Sequence, residues 1–172
     1  YAHLFKFDVL ELRHYHPDQY VKAIQAAVKN KYDVLVIDSL THAWNADGGI
    51  LSIVDKKGGG FDKWKDVNPI LWRLVDAILD SPIHMIATMR SKTDYLMQEY
   101  IVNGQMKTKP VKVGLKPVMK DDIEYEFDIF GEISIDSTMT ITKSRCPELN
   151  AQEYPKAGKE VASALAKWVA AA

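Results

Sequence analysis

The stretch that decides the fold is Tyr32-Asp33-Val34-Leu35-Val36-Ile37-Asp38-Ser39. Its centre, residues 34–37, is a short apolar run that is rich in β-branched side chains, which predicts a strand with no face exposed to water. Such strands are typical of the interior of a parallel sheet that is covered by helices on both sides. The run ends at Asp38, so this carboxylate is expected at the carboxyl end of a buried strand, where α/β sheets bind ligands.

Two interpretations of Asp38 remain open from this stretch alone. In nucleotide hydrolases, an aspartate at this position holds the magnesium shell of a bound triphosphate. Alternatively, Asp38 is a helix cap or an ordinary surface carboxylate. The choice between the two depends on the rest of the chain.

The composition is that of one globular domain. The chain has 172 residues, which are enough for one hydrophobic core and too few for two ordinary domains. A net charge of -1 predicts no overall attraction to nucleic acid or membrane, so any basic surface must be local. Cys146 is the single cysteine, which excludes an internal disulfide and is typical of a reducing cytoplasm. No apolar run approaches the roughly 18 residues that cross a bilayer, so we expect no membrane partner.

The first half of the chain has the pattern of βαβ units. We predict a strand over 7–12, a helix that begins at Pro17 and the strand 34–37, joined by a right-handed crossover. A second helix is predicted to begin at Asn68-Pro69 and to lead into a second buried strand over 83–90. The favoured architecture is therefore a doubly wound parallel sheet. The predicted apolar stripes of the two helices are Tyr20, Val21, Ile24 and Val28, and Ile70, Leu71, Leu74, Val75, Ile78 and Leu79.

Less regular structure is expected elsewhere. A long loop is predicted between Asp38 and the second helix, and Asn103-Gly104 is typical of a hairpin turn. Pro110 and Pro117 argue against long regular elements around that turn. Toward the end of the chain we predict strands over 124–133 and 139–145 and an amphipathic helix, whose apolar residues are Val161, Leu165, Trp168 and Val169.

A phosphate-binding loop of the form G-x-x-x-x-G-K-[ST] is absent from these residues. Gly58-Gly59-Gly60 lacks the following Lys-Ser/Thr, and Gly158-Lys159 continues into Glu160. In this type of fold the loop follows the first strand, upstream of the βαβ units seen here. The chain begins Tyr1-Ala2-His3-Leu4-Phe5, without an initiator methionine or a signal-like region, and we expect it to be a fragment or a processed form.

Thr88 and Arg90 form the second candidate site. They lie two residues apart, so on an extended strand their side chains point to the same side. Beside the strand of Asp38, this pair could sense a terminal phosphate or position a water molecule. The alternative is a polar strand exit with an arginine that faces solvent.

Lys143 and Arg145 repeat this spacing near the end of the chain. Two cations on one strand face can clamp phosphate oxygens, and from a neighbouring subunit they would act as an arginine finger does. The alternative is an exposed basic strand edge that blocks aggregation. Neither the adjacent Cys146 nor the five histidines have the spacing of a zinc site, so we assign no metal to them.

The lysines offer a local positive surface for single-stranded DNA. Lysines bind the phosphate backbone, and neighbouring aromatic rings can stack on unpaired bases. One segment is hinged at the glycines and carries Phe61 and Trp64, and the other carries Tyr95 and Tyr100. The alternative is a pair of solvated loops. The lysines predicted to contact DNA are Lys56, Lys57, Lys63, Lys92, Lys107, Lys109 and Lys112.

A family resemblance connects these features. Residues 32–44 (YDVLVIDSLTHAW) closely resemble the Walker B region of phage-encoded RecA-like P-loop ATPases of the AAA family. The same family pattern appears in 84–95 (HMIATMRSKTDY), in 113–117 continuing to 124–128, and in 142–147 (TKSRCP). The order is that of the family and spans nearly the whole chain. The resemblance implies an α/β RecA-like P-loop NTPase core, with a mainly parallel β-sheet flanked by helices and without its first strand and phosphate loop.

The resemblance also implies roles for the candidate residues. Asp38 would be the Walker B aspartate, which binds Mg2+ through water, and Ser39 would lie beside it in the ATP site. Thr88 and Arg90 would be a sensor, and Lys143 with Arg145 would be the K-x-R finger that enters a neighbouring subunit's ATP site. The cofactors would be ATP and Mg2+, and the basic loops would hold single-stranded DNA. The family's catalytic glutamate lies upstream of these residues.

Three functions follow, in order of preference. The first is a RecA-like ATPase that acts with single-stranded DNA in phage recombination or replication, as a homo-oligomer with ATP at its subunit interfaces. It would work in the cytoplasm of the bacterial host, and residues 1–172 would be one domain, the C-terminal part of the core. The second is a non-catalytic DNA-binding or assembly module that has lost the ATP chemistry. The third is a generic α/β domain with solubilising lysines.

Overall fold

Two units make up the chain, the first ending at Lys120 and the second beginning at Asp121. The computed structural model describes residues 3–102 and 105–171. Each unit is described by itself below. The expectation that the whole chain is one domain stays a prediction.

Two amphipathic helices, α1 (Pro17–Lys29) and α4 (Trp64–Leu79), pack against each other in the first unit. Proline occupies the first turn of α1, and the backbone N–H of Asp18 donates to His16 Nδ1 at 3.2 Å. The central parts of both predicted apolar stripes are confirmed, because residues at helical spacing are buried on each helix. The buried residues are Pro17, Tyr20, Ile24 and Ala27 of α1 and Val67, Leu71, Leu74, Val75 and Ile78 of α4.

The helix boundaries after Asp38 correct the sequence prediction. Helix α4 begins at Trp64, four residues before Asn68-Pro69, and Pro69 lies inside it. Pro69 is the sixth residue of the helix, beyond the first turn, so it removes the backbone hydrogen bond to Lys65 O and its ring crowds that carbonyl. Two short helices, α2 (Leu40–Asn45) and α3 (Ile50–Lys56), occupy part of the predicted long loop. Their apolar residues explain this, since Leu40, Ala43 and Ile50 are completely buried.

Strands β1 (Val34–Ile37) and β2 (His84–Ala87) pair in parallel, with Ile37 opposite Ala87. The βαβ connection between them is therefore confirmed. The predicted strand over 7–12 is wrong, because this segment has no regular secondary structure, and the first βαβ unit is wrong with it. Only one face of the β1–β2 pair is shielded: Leu35 and Ile37 point to it, whereas Val34 and Val36 are 46% and 57% exposed.

The expected mainly parallel sheet is wrong for the described residues. In that part of the chain β1 and β2 are the only parallel pair, and all other pairs are antiparallel. The reason is that an apolar run predicts a strand without specifying how many partners it has or whether both faces are covered. The finding is a mixed α/β structure with small sheets.

Strands β3 (Ser91–Val102) and β4 (Gln105–Pro117) form a long antiparallel ribbon, hereafter the β3–β4 ribbon. Asn103-Gly104, predicted as its turn, lies outside the described residues. A bulge interrupts the pairing between Asp94 and Tyr95. The inference that prolines prevent long elements here is wrong, because both strands of a two-stranded ribbon are edge strands, where proline is tolerated. Pro110 accordingly pairs with Met97.

The second unit contains a three-stranded antiparallel sheet in the order β5 (Ile129–Ile133), β6 (Thr138–Ser144), β7 (Glu153–Pro155). Helix α5 (Lys159–Ala170) follows, close to the predicted C-terminal helix. Its Val161 packs in a buried cluster with Cys146 and Leu149. The strand predicted over 124–133 is only half right, because residues 123–126 form a short 3-10 helix before β5.

Candidate functional site at the ends of β1 and β2

The pairing of β1 and β2 continues past the ends of both strands. The backbone N–H of Thr88 donates to Ile37 O at 3.0 Å, and the N–H of Leu40 donates to Thr88 O at 3.0 Å. These two bonds bring Asp38 alongside Thr88, one step beyond the Ile37–Ala87 pair. Residues paired in a parallel sheet point to the same side, so the two side chains can meet.

Asp38 and Thr88 are joined by a short hydrogen bond. The Thr88 hydroxyl donates to Asp38 Oδ1 at 2.7 Å, a distance typical of bonds to an ionised carboxylate. Both residues are exposed. The hydroxyl therefore orients the carboxylate, which remains accessible to a ligand in solvent.

Arg90 is held beside this pair through both its backbone and its side chain. Its backbone N–H donates to Thr41 Oγ1 at 2.9 Å, and Thr41 is completely buried. Its guanidinium Nη2 lies 3.4 Å from His42 Nε2. Both partners belong to α2, so the helix that follows β1 anchors the arginine that follows β2.

His42 and Tyr15 are part of the site, and the sequence prediction did not include them. His42 Nδ1 lies 3.1 Å from Ser39 Oγ, and the His42 ring stacks on Tyr15 with a centroid separation of 4.9 Å. Ser39 is buried and occupies the N-cap position of α2, where its side chain makes no capping hydrogen bond. The i, i+3 spacing of Ser39 and His42 at a helix start was the available signal, whereas nothing local indicates Tyr15 or Arg90 as partners.

Tyr20 supports Ser39 from α1. Its hydroxyl donates to Ser39 O at 3.5 Å. Burial, with a smaller contribution from Tyr15, raises the pKa of Tyr20 to about 12. The phenol therefore keeps its proton, and remains a donor to Ser39 O, to a higher pH than an exposed tyrosine would.

The donor set of this site fits one kind of metal binding. No cluster of three or more His, Cys, Asp or Glu side chains that could hold a metal occurs in residues 3–102 and 105–171. Asp38 is thus a single carboxylate, held by a hydroxyl. Magnesium is often bound by one or two carboxylates together with water and substrate phosphates, so this arrangement fits a nucleotide-bound Mg2+ and not a protein-only metal centre.

A known protein family matches most of the chain. The family model for the AAA domain matches residues 4–167. The chain belongs to the AAA domain family. Membership in this family indicates a nucleotide-binding, ATPase-like function for the AAA domain described here. No curated protein and no solved structure matches the chain. Among the described helices of the AAA domain, none has the length and hydrophobicity to span a bilayer.

Lys143 and Arg145, the predicted finger residues of the AAA domain, are both engaged within the second unit. Lys143 Nζ donates to the backbone carbonyls of Tyr125, at 3.0 Å, and of Phe127. Arg145 Nη1 forms an ion pair with Asp128 Oδ1 at 2.7 Å. Partial burial, with the nearby positive charge of Arg145, lowers the pKa of Lys143.

The three lysines near the glycine segment that are predicted to contact DNA, Lys56, Lys57 and Lys63, each have a carboxylate partner. The N–O distances are 2.9 Å for Lys56–Asp47, 3.5 Å for Lys57–Asp66 and 2.6 Å for Lys63–Asp62. Phe61, which follows the glycines, is 93% exposed. This segment therefore presents paired charges and one exposed ring, and its role in DNA binding stays a prediction.

The β3–β4 ribbon of the AAA domain divides its lysines between two faces. Lys107 lies opposite Tyr100, and Lys109 Nζ is 5.4 Å from the centroid of the Tyr100 ring. These three residues share one face, because cross-strand partners and residues two apart point to the same side. Lys112 lies opposite Tyr95 on the other face. All five residues are exposed to solvent.

Lys92 lies near the base of the β3–β4 ribbon. It pairs across the strands with Lys116, which forms an ion pair with Asp94 at 3.3 Å. Like charges directly opposite each other destabilise a strand pair, and this carboxylate offsets part of the repulsion. Lys92 therefore remains the exposed positive charge of this cross-strand pair.

Proposed function

We propose that this AAA domain binds Mg2+-ATP at the ends of β1 and β2 and hydrolyses ATP as a RecA-like P-loop ATPase does. The observation that carries the proposal is the bond from Thr88 to Asp38 at 2.7 Å, with Arg90 beside it. It joins the exits of two parallel strands, which is where α/β sheets bind ligands. Family membership supports the same class of ligand.

Each residue has a role in this proposal. Asp38 would accept a hydrogen bond from a metal-bound water, and Thr88 keeps the carboxylate in the orientation required for this. Arg90 would lie near the terminal phosphate, where its charge can stabilise the transferred group, and Ser39 would contribute a hydroxyl. When bound, Mg2+ supplies positive charge that neutralises the phosphate oxygens.

The finger hypothesis adds a homo-oligomer to this proposal. Lys143 and Arg145 would enter the ATP site of a neighbouring subunit, and Arg145 would exchange Asp128 for a phosphate. The Arg145 side chain is 58% exposed, and exposed ion pairs contribute only about 0–1 kcal/mol, so the exchange is energetically accessible.

ATP hydrolysis by the full-length protein tests the catalytic proposal, with Asp38→Asn compared with Asp33→Asn. Both variants remove one carboxylate charge, at opposite ends of β1. We expect Asp38→Asn to lower kcat by roughly 100-fold, because it loses the ligand for the metal-bound water, and Asp33→Asn to stay near wild type. Equal kcat values for the two variants would refute the role of Asp38.

We also propose that the β3–β4 ribbon binds single-stranded DNA through the face of Lys107, Lys109 and Tyr100. The support is that two exposed lysines flank an exposed ring, a combination that contacts phosphates and stacks on a base. Lys112 with Tyr95 on the opposite face, and Lys92 at the base, are secondary candidates. The proposed process, phage recombination or replication, rests on the resemblance of residues 32–44.

Titration of labelled single-stranded DNA at several salt concentrations tests this interface. The double variant Lys107→Ala/Lys109→Ala removes two phosphate contacts. The slope of log K against log salt concentration should therefore become less steep by about 1.4. The control, Lys56→Ala/Lys57→Ala, removes the same charge from the competing predicted interface, where both lysines are ion-paired. If the control weakens binding and the ribbon variant does not, the interface lies at the glycine segment instead.

A second candidate function is a non-catalytic DNA-binding or assembly module. The face of the β3–β4 ribbon that carries Lys107, Lys109 and Tyr100 favours it, because DNA binding there needs no nucleotide. Salt-dependent DNA binding by full-length protein that does not hydrolyse ATP would select this function.

A further inference from the structure

We infer that His42 is a positioning residue that couples Ser39, next to Asp38, to the guanidinium of Arg90. The inference rests on the proposed ATPase function, because the coupled groups are those proposed to meet the metal and the phosphate. His42 reaches both with its two ring nitrogens, at 3.1 Å to Ser39 Oγ and 3.4 Å to Arg90 Nη2.

The partners of His42 determine its tautomer. A guanidinium has only N–H donors, so Nε2, which faces Arg90, must be the unprotonated acceptor. The proton of the neutral ring is then on Nδ1, which donates to Ser39 Oγ. Since that oxygen accepts from the histidine, the Ser39 hydroxyl hydrogen is left to donate to another acceptor, such as a phosphate oxygen.

The surroundings of His42 restrict what this contact can control. The backbone of Arg90 is already held by Thr41, and the His42 ring is already held by its stack on Tyr15. The remaining freedom is the direction of the guanidinium, which His42 Nε2 limits. Thus, loss of the Nε2 acceptor should change the direction of Arg90 and leave the helix α2 in place.

Two amide substitutions separate the two contacts. In His42→Gln the side-chain oxygen reaches the position of Nε2 and can still accept from Arg90, whereas in His42→Asn the amide reaches only the position of Nδ1. Both variants lose the stack on Tyr15, so any cost of lost packing is common to them. We expect His42→Asn to lower kcat roughly 10- to 100-fold with KM little changed, and His42→Gln to retain most of the activity.

Two kinetic outcomes would overturn the inference: wild-type kcat in His42→Asn, or equal losses in both variants. A double variant adds a further test. His42→Asn should have little additional effect on kcat in an Arg90→Ala background, because it acts through that arginine. Multiplicative losses would show that His42 acts independently of Arg90.

Nuclear magnetic resonance of the histidine nitrogens tests the same contact without turnover. Under mildly alkaline conditions, where imidazole is neutral, we expect His42 to be protonated on Nδ1, with its signal identified by its absence in His42→Gln. In Arg90→Ala the proton should shift toward Nε2. Protonation of Nε2 in the wild type, or an unchanged tautomer in Arg90→Ala, would refute the inference. A protein without ATP hydrolysis would refute only the proposed function.

Discussion

Replacement of Gly49 by alanine should destabilise the first unit through a purely steric effect. The backbone φ of Gly49 is −73°, which any residue can adopt. A Cβ there would lie 2.8 Å from His42 O, 2.9 Å from Ala43 O and 3.0 Å from Ala46 O. These are backbone atoms, which cannot rotate away as the end of a side chain can, so helix α2 or the start of α3 must shift.

The expected cost follows from overpacking. Adding a carbon atom to a well-packed site lowers the free energy of unfolding by about 1–3 kcal/mol. Because all three close contacts at Gly49 are to backbone atoms, we expect a loss of about 2 kcal/mol or more. For a chain of this size, this corresponds to a decrease in Tm of about 4–8 °C. Because α2 carries Thr41 and His42, we also expect the hold on Arg90 to weaken.

Urea unfolding followed by tryptophan fluorescence measures this effect, since Trp44 and Trp64 lie 5.8 Å apart in the first unit. Gly131→Ala is the control in the second unit, where Trp168 packs on the buried cluster and reports unfolding. The closest neighbour of its added Cβ would be the terminal methyl of Met139, at 2.6 Å, and that methyl can move. We expect the control to cost less than about 1 kcal/mol. A Gly49→Ala protein as stable as wild type would refute the steric reasoning.

Three further predictions concern the stability of the core, the loss of stability at alkaline pH, and the proposed finger residues. Leu74→Ala should cost about 2–5 kcal/mol in urea unfolding, because Leu74 is completely buried, and an unchanged midpoint would contradict its core position. The pKa of Tyr20 is raised to about 12 in the folded state, so its contribution to stability is complete below pH 10 and is lost as the pH rises toward 12. In unfolding measured over this pH range, Tyr20→Phe should lose less stability than the wild type between pH 10 and pH 12. An unchanged loss of stability in this variant would exclude Tyr20 as its cause. In the full-length protein, Arg145→Ala should keep ATP binding and lose DNA-stimulated turnover by roughly 1,000-fold, whereas unchanged turnover would remove the finger assignment.

Local patterns in the sequence predicted the elements that bury one face. The central apolar spacing in α1 and α4 is confirmed, although Leu79 at the end of the predicted stripe is 48% exposed. The runs ending at Asp38 and Arg90 predicted two neighbouring parallel strands. The sequence also placed Thr88 on a strand beside that of Asp38, and the structure joins the two side chains by a hydrogen bond. These features depend on periodicity and on where an apolar run stops, which are properties of adjacent residues.

Contacts between side chains that are distant in the chain could not be predicted from the sequence. The carboxylates that pair with Lys56 and Lys57 and the stack of Tyr15 on His42 depend on how separate elements meet. The same is true of the β3–β4 ribbon, because each strand alone reads as a polar, proline-containing loop. Such contacts become visible only when the tertiary structure brings the elements together.

The sequence by itself determined the stretch 32–39 as a strand that ends in a carboxylate, because four apolar residues followed by Asp38 are sufficient for that. Only the tertiary structure decided that this strand has one parallel neighbour and one exposed face. It also decided that Asp38 accepts a bond from Thr88 while His42 links Ser39 to Arg90. The physical reason is that the apolar character of a strand acts locally, whereas its pairing and its polar contacts depend on residues some fifty positions away.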